Sequence, residues 1–319
     1  MTEASQPPAL QRPPVYAKMA VIGCGLIGSS VIRAARAKGA VGEIAVADAS
    51  PEHRARIVEL GYADSVHADP AEAVRDADMV LFATPVRAMG EALAAAAPGL
   101  KAGATITDVG SVKAAVAEAL AAAAPEGVFV IPGHPVAGTE QSGPDAGFAS
   151  LFENRWNILT PQKRTDAPYQ DAVERLTEFW MTLGARVELM DDKHHDLVLA
   201  ITSHLPHLIA FNIVGTAAHL EEVTQGEVMK FSAGGFRDFT RIAASDPIMW
   251  RDVFLTNKDA VLEVLGQFTE DLQALSRAIR WGEGEKLQDL FTRTREIRLG
   301  IVAAGQESAA VNFGRDQRG

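Results

Sequence analysis

The clearest offer of acid–base chemistry in this 319-residue chain is one imidazole held between a glycine and a proline, Gly133-His134-Pro135. A neutral histidine titrates near ~6.5 and can accept a proton from a substrate hydroxyl around neutral pH. The stretch continues Val136-Ala137-Gly138-Thr139-Glu140 and reads as a loop. Further on, Ser203-His204-Leu205-Pro206-His207 lies in a helical pattern, where Ser203 and His207 share a face and Pro206 should kink the helix. Then comes Gly234-Gly235-Phe236-Arg237-Asp238-Phe239-Thr240-Arg241. The paired glycines allow close backbone approach, and a guanidinium can grip a carboxylate through two charge-assisted hydrogen bonds. The plainer reading is an Asp238–Arg241 pair at i,i+3 on a helix surface, and Arg237 is taken as structural.

These groups need a frame. A strand at 19–22 and a helix at 26–38, closed by Gly39, bracket Gly23-Cys24-Gly25-Leu26-Ile27-Gly28. In a G-x-G-x-x-G turn the first glycine permits the tight bend, the second lets backbone approach a pyrophosphate and the third lets helix meet strand. A second strand, 43–47, ends at Asp48, about twenty residues on, where a carboxylate can bind an adenosine ribose and repel a 2'-phosphate. That pattern favours NAD over NADP. Asp48 could instead cap the helix starting near Pro51, a task Ser50 fills equally well.

Strands near 65–67, 79–83, 105–107 and 128–131 alternate with helices from Pro70, over 89–97 and over 112–124. Repeated βα units predict an α/β fold: a Rossmann-type, mainly parallel sheet with helices on both faces and ligands at the strands' C-terminal edge. Thr84-Pro85, Asp108-Val109-Gly110-Ser111 and Gly133-His134-Pro135 should therefore converge on the cofactor. The alternative reading of Ser111 is the N-cap of the helix from Val112, and a serine capping there still points into the crevice. Strands at 157–159 and 186–189 around a helix over 167–183 should complete the first domain. From Asp191 the pattern is helical, through 197–218, 250–280 and 284–304, with apolar positions on more than one face. The expected organisation is an arm without order at 1–16, a Rossmann domain at 17–190, an all-helical substrate and dimerisation domain at 191–305 and a flexible tail at 306–319.

A formal net charge of -11 and a pI near 5.2 leave no basic stripe for nucleic acid or a membrane surface. A single cysteine, Cys24, excludes an internal disulfide and suits the cytoplasm. The first residues have no signal-peptide pattern, and no stretch reads as long and apolar enough to span a bilayer. Histidines 194, 195, 204 and 207 have neither a thiolate partner nor an H-E-x-x-H helix, so no metal is expected.

Taken in series, Gly23 to Gly28, Asp108-Val109-Gly110-Ser111-Val112-Lys113, His134-Pro135 with Gly138-Thr139-Glu140, Ser203 to His207, and Gly235 to Ala243 with Trp250 resemble the prephenate and arogenate (cyclohexadienyl) dehydrogenases of tyrosine biosynthesis. The resemblance spans about Lys18 to Ala304. It implies NAD-dependent oxidative decarboxylation of a small dicarboxylate. By the same resemblance His134 is the base, Ser111 orients it beside the nicotinamide, and Arg241 holds the ring carboxylate. His207, Ser203, His204 and Gly234 surround the rest of the substrate, and Glu140 and Asp238 gate or organise the pocket. Two other readings compete: a two-domain reductase acting on β-hydroxyacids or imines, and a catalytically silent NAD sensor.

Overall fold

The computed structural model describes residues 13–139, 141–224, 230 and 233–303. The expected tail, most of the expected arm and Glu140 lie outside the described residues. Within the arm, Tyr16 is the first residue of a strand and is fully buried, so order begins earlier than the composition suggests.

Six strands form the first sheet: β1 (Tyr16–Ile22), β2 (Val41–Ala47), β3 (Ser65–His67), β4 (Met79–Phe82), β5 (Thr105–Asp108) and β6 (Phe129–Val130). Their order is β3-β2-β1-β4-β5-β6 and every pairing is parallel. The strands are apolar runs because both faces are covered. Met19 and Val21 of β1 enter one core with Val31, Ile32, Phe179 and Trp180, while Ala20 and Ile22 enter the opposite core with Leu93, Ile106 and Leu120. The helices supplying those layers are α1 (Leu26–Lys38), α2 (Pro51–Leu60), α3 (Pro70–Ala73), α4 (Met89–Ala96), α5 (Ala114–Ala123) and α6 (Ala167–Thr182).

Two expectations change at the histidine edge. Gly133–Pro135 is no loop: it is strand β7, antiparallel to β8 (Trp156–Leu159), with β9 (Arg186–Leu189) parallel to β8 in a separate three-stranded sheet. Pairing His134 with Ile158 fixes the imidazole's backbone on a rigid element. Helix α5 begins at Ala114, two residues later than a Ser111 cap requires, and its cap position, Lys113, makes no side-chain capping bond. The first amides are satisfied from another part of the chain: Asp196 accepts from Lys113 N at 2.7 Å and Ala114 N at 2.9 Å.

Asp196 belongs to α7 (Asp192–Leu199), which runs through a π-helical turn at Ala200–His204 into α8 (Leu205–Thr224). The distortion immediately precedes Pro206, which has no N–H to give to a regular turn. By length and composition the stretch Asp192–His219, mean hydropathy 1.7, qualifies as a helix able to cross a bilayer, contrary to the sequence reading. Within it His195, Asp196 and His204 are buried, whereas Lys193 and His194 are exposed. After it come α9 (Gly234–Thr240), a short 3-10 turn (Arg241–Ala244), α10 (Pro247–Thr256), α11 (Lys258–Trp281) and α12 (Gly284–Ala303).

Two compact units result, Met1–Val261 and Leu262–Gly319. Asp196 on α5, and Asn257 on the Asp196 carbonyl at 2.9 Å, tie the first helices beyond residue 190 into the first unit. In the second unit Leu272, Ile279, Trp281, Phe291, Ile297 and Leu299 are exposed.

Candidate active site

At the C-terminal edge of β1, Gly23 has φ +91°, and a Cβ there would lie 2.8 Å from the Ala83 carbonyl. A Cβ on Gly28 would lie 2.3 Å from the Gly23 carbonyl, so helix and turn meet only through glycine. At Gly25 a Cβ would meet nothing within 4 Å, and no side chain caps α1. Open space before a bare helix N-terminus, followed by Leu26 and Ile27, suits a pyrophosphate.

Asp48 accepts from Cys24 N at 2.8 Å and Ser50 N at 2.9 Å, binding the glycine turn to the end of β2. The capping role falls to Ser50, whose hydroxyl accepts from His53 N at 3.1 Å. Thr84 Oγ1 is buried without a partner at the end of β4, beside Pro85. An orphan hydroxyl beside an open turn is what a bound dinucleotide would satisfy.

Beneath β7 lies a fully buried ion pair. Lys113 Nζ binds Asp108 Oδ1 and donates to the Gly133 carbonyl at 2.6 Å. Asp108 also accepts from Gly110 N at 2.7 Å and Gly133 N at 3.2 Å. Burial pushes the carboxyl up and the ammonium down, but three donors on Asp108 keep it an acceptor, so the pair stays ionised. It fastens β5 to β7 through the backbone of His134's neighbour.

His134 is 8% exposed, and its Nδ1 lies 2.8 Å from His195 Nε2. His195 Nδ1 in turn lies 2.8 Å from Asp196 Oδ1. Desolvation, then the charges of His195, Lys113 and His204, hold His134 well below the ordinary histidine range, so it is neutral at physiological pH. Ser111 stands at the same edge, half-buried, with its backbone beside the His204 ring. The nitrogen partner of His134 is thus His195, a residue for which the sequence suggested no role beyond a discarded metal cluster. Among the described residues no group of three or more His, Cys, Asp or Glu could hold a metal.

The second histidine group adjoins the first. His204 is fully buried; its Nδ1 meets Asn257 Nδ2 at 3.1 Å and its Nε2 has no partner, and burial brings its pKa down to about 4. His207 stacks on Trp250 at 3.7 Å between ring centres, and its Nδ1 pairs with the Ser203 carbonyl at 2.8 Å. Arg241 is close enough that its charge helps lower His207, after burial. Ser203, His204, His207, Trp250 and Arg241 therefore come together. Asp238 is exposed on α9, 4.0 Å from where a Cβ of half-buried Gly234 would sit.

His195, Asp196, Lys113 and Asn257 escaped the sequence reading. One signal was available: α5 has no capping side chain of its own, so an acceptor had to come from elsewhere.

The family model described as prephenate dehydrogenase, nucleotide-binding domain, matches residues 31–189, and that for the prephenate dehydrogenase dimerization domain matches 191–293. A cyclohexadienyl dehydrogenase of Zymomonas mobilis is 44% identical over 90% of this chain and 97% of its own. The chain belongs to the prephenate dehydrogenase family. Another member, the Bacillus subtilis prephenate dehydrogenase, is 35% identical over 88% of this chain and 74% of its own length. Among solved family structures, the Aquifex aeolicus prephenate dehydrogenase in complex with hydroxyphenyl propionate and NAD+ superposes with a TM-score of 0.82 at 34% identity, covering 89% of this chain and 98% of that one. The Synechocystis arogenate dehydrogenase gives 0.75 at 27% identity, over 88% and 98%. The mainly parallel Rossmann-type sheet followed by helices is thus the family architecture.

Proposed function

We propose that this protein is an NAD-dependent dehydrogenase that oxidatively decarboxylates prephenate, arogenate or both. Family membership supports the activity, and the carrying observation is a buried, neutral His134 on a strand fastened to the end of β5, in a sheet whose β1 ends in a glycine turn shaped for a dinucleotide. NAD, held by Gly23, Gly25, Gly28, Asp48 and Thr84, supplies the hydride acceptor when bound.

His134 takes the proton of the substrate's ring hydroxyl as hydride departs from the same carbon. Arg241 holds the ring carboxylate until it leaves as carbon dioxide, and aromatisation makes the reaction effectively irreversible. His207, with Nδ1 committed to Ser203, presents Nε2 to the substrate's side chain, and Trp250 fixes the ring's tilt. Orphaned His204 Nε2 is available to the same ligand. Residues 17–190 serve as the nucleotide domain and 191–305 as the substrate and dimerisation domain. The exposed apolar faces of α11 and α12 then form a homodimer contact, and light scattering at micromolar concentration should give twice the chain mass. As a biosynthetic enzyme it is assigned to the cytoplasm.

A reductase of β-hydroxyacids or imines is not favoured by the relatives or by the Ser203–His207 group. The test is NADH formation from prephenate and from arogenate, followed by absorbance. Production with either substrate is expected, and none with both overturns the reading.

A further inference from the structure

We propose that His195 and Asp196 form a positioning limb behind His134, fixing which of its nitrogens is the base and taking up the charge it acquires; this rests on the reading of His134 as the general base. Both oxygens of Asp196 accept backbone amides at the start of α5, Oδ1 from Lys113 at 2.7 Å and Oδ2 from Ala114 at 2.9 Å. A helix N-terminus favours the carboxylate, which has only acceptors. His195 Nδ1, 2.8 Å from Oδ1, must therefore carry a hydrogen. In neutral His195, Nε2 is then a lone pair, and its neighbour at 2.8 Å, His134 Nδ1, must donate to it. Neutral His134 is left with its lone pair on Nε2. Three links, each forced by the one before, thus set the tautomer of the base.

The same chain disposes of the proton. When His134 accepts the hydroxyl proton at Nε2, its Nδ1 hydrogen can move to His195 Nε2: one N–H bond breaks on His134, one forms on His195, and the positive charge shifts one ring away. The groups facing the two rings make that shift favourable. Around His134 burial and the Lys113 ammonium oppose a proton, and a proton on His195 or His204 would add to that opposition. His195 is also held below the ordinary histidine range, first by burial and then by the Lys113 ammonium, but its hydrogen bond to Asp196 and the Asp196 and Asp108 carboxylates offset this, an offset that His134 lacks. Lys113 belongs to the strap before α5, Asp108 to β5, Asp196 to α7 and His204 to the π turn, so four elements contribute.

The experiment uses the full-length protein with NAD and whichever of prephenate or arogenate it oxidises. For His195→Leu we expect kcat to fall about 100-fold with KM for both ligands within about threefold, the pattern for a group acting only in the chemical step. The acid limb of kcat/KM should also move to lower pH, because a proton on His134 alone has no carboxylate to settle against. His195→Gln, whose amide oxygen can still accept from His134 Nδ1 but cannot take a proton, should recover about tenfold of the lost turnover. A merely structural role would move neither the limb nor the Gln–Leu order. A folded, NAD-binding His195→Leu enzyme with unchanged kcat and acid limb overturns the proposal. Should the Leu variant not fold, the Gln variant decides alone: a displaced acid limb supports the limb, an unmoved one sinks it. Wild-type protein that forms no NADH overturns the functional reading instead, and loss of turnover in His134→Asn but not in His195→Leu removes only the proposal made here.

Discussion

The two ends of the ligand-binding edge are built on opposite plans. At the β1 end the working atoms are backbone amides, side chains are absent where they would obstruct, and the one charged group, Asp48, is held by amides 2 and 24 residues away. At the β7 end the groups are ionisable side chains, and the contacts that bring them together span tens of residues: His134 to His195 at a separation of 61, and Asp196 to amides 83 and 82 residues before it. The first plan tolerates solvent. The second works only where burial strengthens each charge and punishes each unpaired one. Binding a polyanion needs room and oriented dipoles, whereas tuning one imidazole needs a dry, fully paired surrounding.

The comparison predicts where substitutions hurt most. His134→Asn should lower kcat by about 100- to 10,000-fold while NAD still binds, as a calorimetric titration beside steady-state rates would report. Turnover near wild type would end the distinction, since the dry end would then contribute no acid–base help. Next in size, Arg241→Ala should raise KM for the organic substrate about 10- to 100-fold with a smaller change in kcat, because the carboxylate is held before reaction as well as during it. An unchanged KM would move the carboxylate site away from the 3-10 turn.

Acidity should also separate the ends. His134, His195, His204 and His207 are all lowered, chiefly by burial, so the unfolded chain binds protons there that the folded chain refuses. Stability is therefore complete above the unfolded value of ~6.5 and is lost as pH falls below it; for His204, brought to about 4, the loss reaches on the order of 3 kcal/mol. Melting temperatures measured from neutral pH down to about 4 should decline over that window, and a flat profile would mean the cluster is less dry than its burial implies. By the same direction, kcat/KM should keep its neutral-pH value below the ordinary histidine pKa before falling. The smallest effect belongs to the wet end: Asp48→Asn should relax the NAD preference over NADP by about tenfold while leaving kcat with NAD nearly intact. A variant still indifferent to NADP would transfer the discrimination to His53, 3.3 Å from that carboxylate.

The same contrast explains what the sequence disclosed. Gly23, Gly25 and Gly28 act through local backbone, so their spacing alone placed them, and strand alternation recovered the parallel sheet. His134 and Arg241 were singled out through their motifs, yet β7 was taken for a loop, because three residues carry no period and the pairing partner lies beyond Arg155. The Ser111 cap failed for a related reason: α5 takes its cap from Asp196, across 82 residues, and no window along the chain spans that. Side chains that act in pairs across the fold become visible only once topology has brought them together.

One turn of helix has a further implication. The π-helical segment Ala200–His204 accommodates one residue more than a regular turn would, so the helix carries two facings, His195 and Asp196 before it and His204 and His207 after it. Removing a single codon there would restore an ordinary helix and swing the later pair by about 100° about its axis, away from Asn257 and Trp250, while leaving the earlier pair in place. The extra residue thus sets the angle between the face that carries His195 and Asp196 and the face that carries His204 and His207.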